Sequence, residues 1–331
     1  MRSWNIIGKR RWGYLLSAAV MIPGIIALVL WGINFGIDFT GGTLLDVRVA
    51  RDARVEEVRE VMGGFGLAEA VIQQSRERPR EFIIRTESLD EATTARVTAA
   101  LGQRFDGVEV LLAERVGPKI GRELRNRAIL AVSIGLVLQV LYITWRFRST
   151  RFAMVADVAL LHDLIVVLGL YALTRKQVDS SFVAVLLTVI GYSINDTVVI
   201  FDRIRETLGQ RIRATFPELV NRSILEVLVR SLTTGAGALM ALAAIYFLGG
   251  VTIRDFAFGL TIGVLTGTYS SIFVASPLLV EWHNWSEHRA GRRPEAPSQA
   301  EPVREAVQVG GPRPAAARPG GPRPGRRRNR R

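Results

Sequence analysis

Four long stretches of this chain contain no charged residue: residues 12–37, 128–145, 231–253 and 256–280. A helix needs about 20 apolar residues to cross the hydrocarbon core of a bilayer, so each can span a membrane. Residues 152–174 and 180–201 are comparably long but carry ionisable groups. The first holds Asp157, His162 and Asp163, and the second holds Asp196. The chain therefore reads as an α-helical polytopic membrane protein with six transmembrane helices, four of them clean and two carrying buried acids. Span one is too long for the apolar core of a signal peptide and ends without a small-residue cleavage site, so it is expected to be an uncleaved anchor.

The charge balance follows from this layout. The 331 residues hold 43 Lys plus Arg against 30 Asp plus Glu, a net charge of +13, and 49% of them are apolar. That apolar content excludes a wholly disordered chain. The long uncharged runs exclude a purely soluble nucleic-acid binder, which the charge alone would suggest. Residues 289–331 contain 12 Arg and 3 Glu, leaving a surplus of only +4 in residues 1–288. The tail, taken as 286–331, is rich in Arg, Pro and Gly, and is expected to be disordered, either lying near anionic lipid or the ribosome or serving as a solubilising appendage. Elsewhere the basic residues encode topology. Arg2, Lys9, Arg10 and Arg11 precede span one; Arg146, Arg148 and Arg151 follow span two; Arg203, Arg205, Arg211, Arg213 and Arg222 follow span four. Arg175, Lys176 and Arg254 are the only basic residues in the loops after spans three and five. Both termini are thus expected to be cytoplasmic. Arg115, Lys119, Arg122, Arg125 and Arg127 break the pattern on the opposite side, as long translocated loops are free to do.

Between spans one and two, residues 38–127 form an extracytoplasmic domain and connector. Residues 43–50 alternate, with Leu45, Val47 and Val49 on one face of a strand. Residues 52–65 and 89–105 read as helices; 70–74, 82–86 and 108–113 read as strands. The order is βαββαβ, a ferredoxin-like arrangement. Residues 128–285 then hold spans two to six.

No cysteine is present, and His162, His283 and His288 are the only histidines. Thiolate chemistry is excluded and a multi-histidine metal site is not expected. The chain is expected to be no enzyme and to need no cofactor or metal, with protons as the coupling ion. Acids inside a membrane default to functional candidates. Asp196 lies six residues before Asp202, about 9 Å inside the cytoplasmic end of span four. Gly191 to Thr197 supply hydroxyls and the Asn195 amide, able to hold water beside a carboxyl group. Desolvation lets such a carboxyl exchange protons near neutral pH; the alternative is a structural hydrogen bond to a neighbouring helix. Arg230, opening span five on the same side, is either its counter-charge or a cation snorkelling to the interface. His162 and Asp163, near the middle of span three, form either a second relay point or a packed polar pair. Neither Asp stands in the settings that intramembrane aspartyl proteases use. Gly259, Gly263 and Gly267 form a small-residue stripe in span six, suited to close helix packing.

Several segments carry a family resemblance. Phe35-Gly36-Ile37-Asp38-Phe39-Thr40-Gly41-Gly42-Thr43 resembles the signature of the SecD/SecF protein-export family, with Asp38, Gly41 and Gly42 at its centre. Val116-Gly117-Pro118-Lys119-Ile120-Gly121-Arg122-Glu123-Leu124 and His162-Asp163 are similar to other segments of it. Residues 191–206, including Asn195, resemble the SecF side rather than the SecD side, and the segments 230–234 and 267–272 extend the likeness over about residues 1–285. The resemblance implies a bacterial inner-membrane protein of the resistance–nodulation–division superfamily. It would act with SecD as a SecDF complex beside the SecYEG channel, with a YajC-like subunit, using the proton-motive force on unfolded preproteins. It places the conducting acid at Asp196 and its partner at Arg230, with Asp163, Thr233 and Thr234 as secondary positions. Six spans are half of a twelve-span unit of that superfamily, so a six-span partner is expected. A proton-coupled small-molecule transporter subunit and a structural translocon scaffold are the alternatives.

Overall fold

The computed structural model describes residues 4–75, 78–210 and 214–289. Arg2, Arg211, Arg213 and the Arg/Pro tail from residue 290 lie outside the described residues.

The first span is α1 (Arg10–Trp31). Gly32, at φ 65°, ends it in a conformation that residues with a Cβ rarely adopt, its N–H returning to Leu28 O at 3.1 Å. Pro23 sits within α1, followed by Gly24. A Cβ on Gly24 would stand 2.9 Å from Gly169 Cα in span three, so the two backbones touch where a glycine faces a glycine.

A four-residue turn, α2 (Ile37–Thr40), leads into the domain: β1 (Gly42–Val49), α3 (Val55–Gly63), β2 (Val71–Gln74), β3 (Glu81–Thr86), α4 (Glu91–Arg104) and β4 (Val108–Val116). The sheet order is β2-β3-β1-β4 with every pair antiparallel, the order of the ferredoxin-like arrangement. Leu45, Val47 and Val49 point inward with Phe82 and Ile84, against Val58 and Met62 of α3 and Val97 and Leu101 of α4. Each such side chain contributes about 1.5–3 kcal/mol on burial. The Asp90 carboxylate caps α4, accepting from Thr93 N at 2.8 Å, and Glu57 accepts from Arg54 N at 2.9 Å at the start of α3. Strand β4 runs three residues beyond its expected end. Glu114, Arg115 and Val116 are held by pairing to Leu44, Thr43 and Gly42, which no local alternation in this charged stretch announces.

The remaining spans are α5 (Pro118–Phe147), α6 (Thr150–Thr174), α7 (Ser180–Gly209), α8 (Phe216–Leu248) and a composite sixth span. The sixth consists of α9 (Val251–Ser270), a π-helical turn (Ser271–Ala275) and α10 (Ser276–Arg289). Helices α5 and α8 begin well before their uncharged runs, at Pro118 and Phe216. Hydropathy detects only the part inside the membrane; the polar first turns of α8 are helical through pairs such as Arg222–Glu226 at 2.9 Å. Helices α6, α7 and the sixth span make the centre. Helix α5 is peripheral, with 6% of its most apolar stretch buried against 61% for α6.

Candidate functional site

Small residues bring the central helices together. The Gly259, Gly263 and Gly267 stripe faces α7: added Cβ atoms would meet Val185 Cγ1 at 2.9 Å, overlap the Val189 side chain, and reach Ser193 Cα at 3.0 Å. The close approach at Gly267 sets the hydroxyls of Thr268 and Ser271 against the acidic turn of α7 and that of Ser270 against Asp163 of α6.

Asp163 is fully buried. Ser193 Oγ donates to its Oδ2 at 2.5 Å, and Ser270 Oγ donates to the same oxygen at 2.8 Å. His162 Nδ1 lies 2.9 Å from Oδ1, and His162 Nε2 lies 3.1 Å from Ser17 Oγ in α1. Four spans therefore converge on one carboxylate. Ser17 in turn meets Tyr269, whose hydroxyl donates to Gly13 O at 2.6 Å. A mostly apolar cleft of about 210 Å³ between α1, α6 and α9 reaches His162 and Ser17.

Asp196 lies one turn further along α7, 4% exposed. Among the described residues a single hydrogen bond holds it: Thr268 Oγ1 donates to Oδ2 at 3.1 Å. Beside it Thr197 Oγ1 and Ser271 Oγ are 2.8 Å apart. The π turn starts at Ser271. Ser276 Oγ donates to Ser271 O at 2.8 Å, supporting one of the carbonyls in the widened turn.

Arg230 does not pair with Asp196. It is exposed on α8, close enough for its charge to act on the carboxylate, but no ion pair within 4.0 Å joins them. Thr233 and Thr234 are exposed on the same helix, and the Thr233 hydroxyl bonds back to Val229 O and Arg230 O. The side chain of Asn195 is exposed on α7 and makes no hydrogen bond among the described residues. Asp157 stands apart, its Oδ1 buried and without a hydrogen-bond partner among the described residues. Among those residues no cluster of three or more His, Asp or Glu is arranged to hold a metal. Sequence reasoning missed Ser17, Ser270 and Tyr269 as members of the buried network; hydroxyls spaced like the glycine stripe were the available signal. It gave no sign of the π turn.

The Asp38 signature lies at the far end of α7. Asp38 Oδ2 accepts from Ser180 N at 2.8 Å, capping the helix that carries Asp196. Gly41 (φ 77°) and Gly42 (φ 145°) make the tight link from α2 to β1. A Cβ on Gly41 would stand 2.8 Å from Pro118 Cα, and one on Gly121 would stand 2.8 Å from Gly41 N. The two sequence segments that carry the family resemblance, 35–43 and 116–124, are thus one interlocked joint between the domain and α5.

Within the domain, at the end of β1 remote from the membrane link, Glu81 is almost wholly buried yet carries two cations. Arg48 Nη2 reaches it at 2.6 Å and Arg78 Nη1 at 3.1 Å. Burial pushes its carboxyl up, but the two guanidinium groups outweigh this and hold it below the usual carboxylate range. Burial brings the Arg85 guanidinium down to about 10, opposed by Asp255 and Asp179.

Six spans, a βαββαβ insert after the first, and buried carboxyl–hydroxyl clusters where the central helices cross define a multi-pass membrane protein of the transport type. Residues 96–285 match the family described as protein export membrane protein SecD/SecF, C-terminal, and residues 28–53 match the SecD/SecF GG motif. A protein translocase subunit SecF of Thermobaculum terrenum is 40% identical over 314 residues, covering 89% of this chain and 99% of that one. The protein translocase subunit SecDF of Thermus thermophilus is 38% identical over 288 residues, covering 85% of this chain but 39% of its own length. A crystal structure of SecDF, a translocon-associated membrane protein from Thermus thermophilus, superposes with a TM-score of 0.79 at 36% identity, over 85% of this chain and 39% of that one. The chain belongs to the SecD/SecF family of protein-export membrane proteins.

Proposed function

We propose that this chain is the SecF-like half of a SecDF complex in the bacterial inner membrane, where it uses the proton-motive force to promote late steps of preprotein translocation through SecYEG. The observation that carries this is Asp196. It is a buried carboxyl group in an apolar helix with, among the described residues, one hydroxyl donor and an unpaired Arg230 nearby. Thr268 occupies one carboxyl oxygen, which leaves the other to take a proton or the guanidinium. Deprotonated, Asp196 attracts Arg230; protonated, it releases it, and α7 and α8 gain a second arrangement. Both termini face the cytoplasm, and the βαββαβ domain faces outward, where the unfolded preprotein emerges. The coupling ion is the proton; no covalent step and no cofactor is invoked. SecD is the expected six-span partner. A translocase relative bearing the joint name SecDF, matched over 39% of its length, supports that pairing. A YajC-like subunit completes the assembly, with membrane lipid around it.

The test is Asp196→Asn in membrane vesicles containing SecD and SecYEG. Proton-dependent stimulation of export should vanish while the complex still assembles. Full stimulation with Asn at this position overturns the assignment and favours a scaffold. A small-molecule transporter would show substrate flux without SecYEG.

A further inference from the structure

The cations that break the charge rule are not used by the proton path. Arg115, Lys119, Arg122, Arg125 and Arg127 cluster at the junction of β4 and α5, on the side of the membrane that carries the βαββαβ domain. Arg127 pairs with Glu123 at 2.5 Å, and Arg115 donates to Ser88 Oγ at 3.3 Å. Lys119, Arg122 and Arg125 are exposed and have neither an ion pair nor a hydrogen bond among the described residues.

These groups are organised as more than a diffuse charge. Residues 119, 122, 126 and 130 fall on one stripe of the helix. They line a surface groove of about 450 Å³ formed by Lys119, Arg122, Glu123, Asn126, Arg127 and Leu130. The Glu123 charge is already met by Arg127, so the groove keeps a net positive lining. Towards the membrane the stripe becomes apolar: Leu130, Ile134 and Val137 are 59%, 49% and 58% exposed. The uncharged run begins at Ala128, which puts Asn126 about 3 Å and Arg122 about 9 Å outside the hydrocarbon. The headgroup zone is about 5–7 Å deep on each side, and the long stems of Arg122 and Lys119 reach back into it.

We propose that this groove is a binding site for an anionic phospholipid in the leaflet on the domain's side. Arg122 meets the phosphate as a fork of donors and Lys119 as a point charge. Asn126 donates to a phosphate or glycerol oxygen, and an acyl chain lies along Leu130 and Ile134. Helix α5 is the least enclosed span, so the chain's own helices leave this face uncovered. The site stands on its own geometry and does not depend on the proton cycle.

The experiment uses the full chain in nanodiscs of phosphatidylcholine with a minor fraction of phosphatidylglycerol, and counts retained lipids by native mass spectrometry. In K119Q/R122Q, which removes two near-surface cations, retained phosphatidylglycerol should fall roughly tenfold or more, with retained phosphatidylcholine unchanged. R122Q alone should give a fall of several-fold, and serves if the double variant does not accumulate. Equal loss of both lipids overturns anionic recognition. Unchanged phosphatidylglycerol overturns the site.

Discussion

Replacing Gly41 with Ala tests whether the joint between the domain and the membrane is set by backbone contact. Two costs add at this position. Its φ of 77° and ψ of 158° lie in a region almost reserved for glycine, which costs about 1–3 kcal/mol for any other residue. The new Cβ would also stand 2.8 Å from Pro118 Cα, part of a backbone that cannot rotate aside, and overpacking of this kind costs about 1–3 kcal/mol. The total is about 2–6 kcal/mol. Gly66 provides the control: its φ is 78°, but nothing lies within 4 Å of its Cβ position, so Gly66→Ala should cost only about 1–2 kcal/mol. Hydrogen exchange reads the difference locally. A loss of 2 kcal/mol or more speeds exchange about 30-fold or more. In Gly41→Ala the acceleration should centre on the paired starts of β1 and ends of β4, and on the first turn of α5. In Gly66→Ala it should stay near the turn after α3. Equal and evenly spread effects in the two variants would refute the interlocked joint.

Gly263→Ala should destabilise the span four–span six contact by about 1–3 kcal/mol, lowering the detergent melting temperature, because its Cβ would overlap the buried Val189 side chain. Adding Val189→Ala should restore part of the loss, whereas Gly191→Ala, with open space at its Cβ, should give no packing penalty. Glu81→Gln should cost about 1–3 kcal/mol at neutral pH, since it weakens the pairing of a buried group to Arg48 and Arg78. The folded-state pKa of Glu81 is depressed, so its contribution is present above the unfolded carboxylate range and is lost as pH falls through the folded value. An acid titration of domain unfolding should be shallower in the variant, and an unchanged slope would sink the attribution.

The architecture was legible because two unrelated periodicities mark it. Uncharged runs of membrane length announced the six spans, and Leu45, Val47 and Val49 announced an inward-facing strand that the structure places in the domain core. Local patterns fail where pairing partners decide. The end of β4 is charged and exposed, and only its register with β1 makes it a strand. The π turn at Ser271 is equally silent, being a product of packing against α7 and of the Ser276 hydroxyl. The acids could be found from their cost in a membrane, but their partners could not. Spacing alone put Arg230 opposite Asp196, whereas the structure gives Asp196 a hydroxyl from the sixth span.

That difference in partners separates the two acids. Asp163 has both carboxyl oxygens engaged, by two serines and a histidine, and the histidine is tied to a third serine. Any change of state there must rearrange groups on α1, α6, α7 and α9 together, and buried networks that are fully satisfied hold one arrangement. Among the described residues Asp196 has one hydroxyl donor, and Arg230, a cation within electrostatic range, is in no ion pair. Two states of similar free energy are what a switch requires, and of these two acids it is Asp196 whose hydrogen bonding is incomplete among the described residues. The helix that carries it begins at Ser180, whose N–H is held by Asp38, about 24 Å away at 1.5 Å per residue. A tilt of α7 that accompanied protonation would therefore be delivered to the α2–β1 link, where Gly41 and Gly42 leave no room for slack. In the proposed cycle Asp196 is the acid that changes state, and Asp163 sits in a network that ties α1, α6, α7 and α9 together.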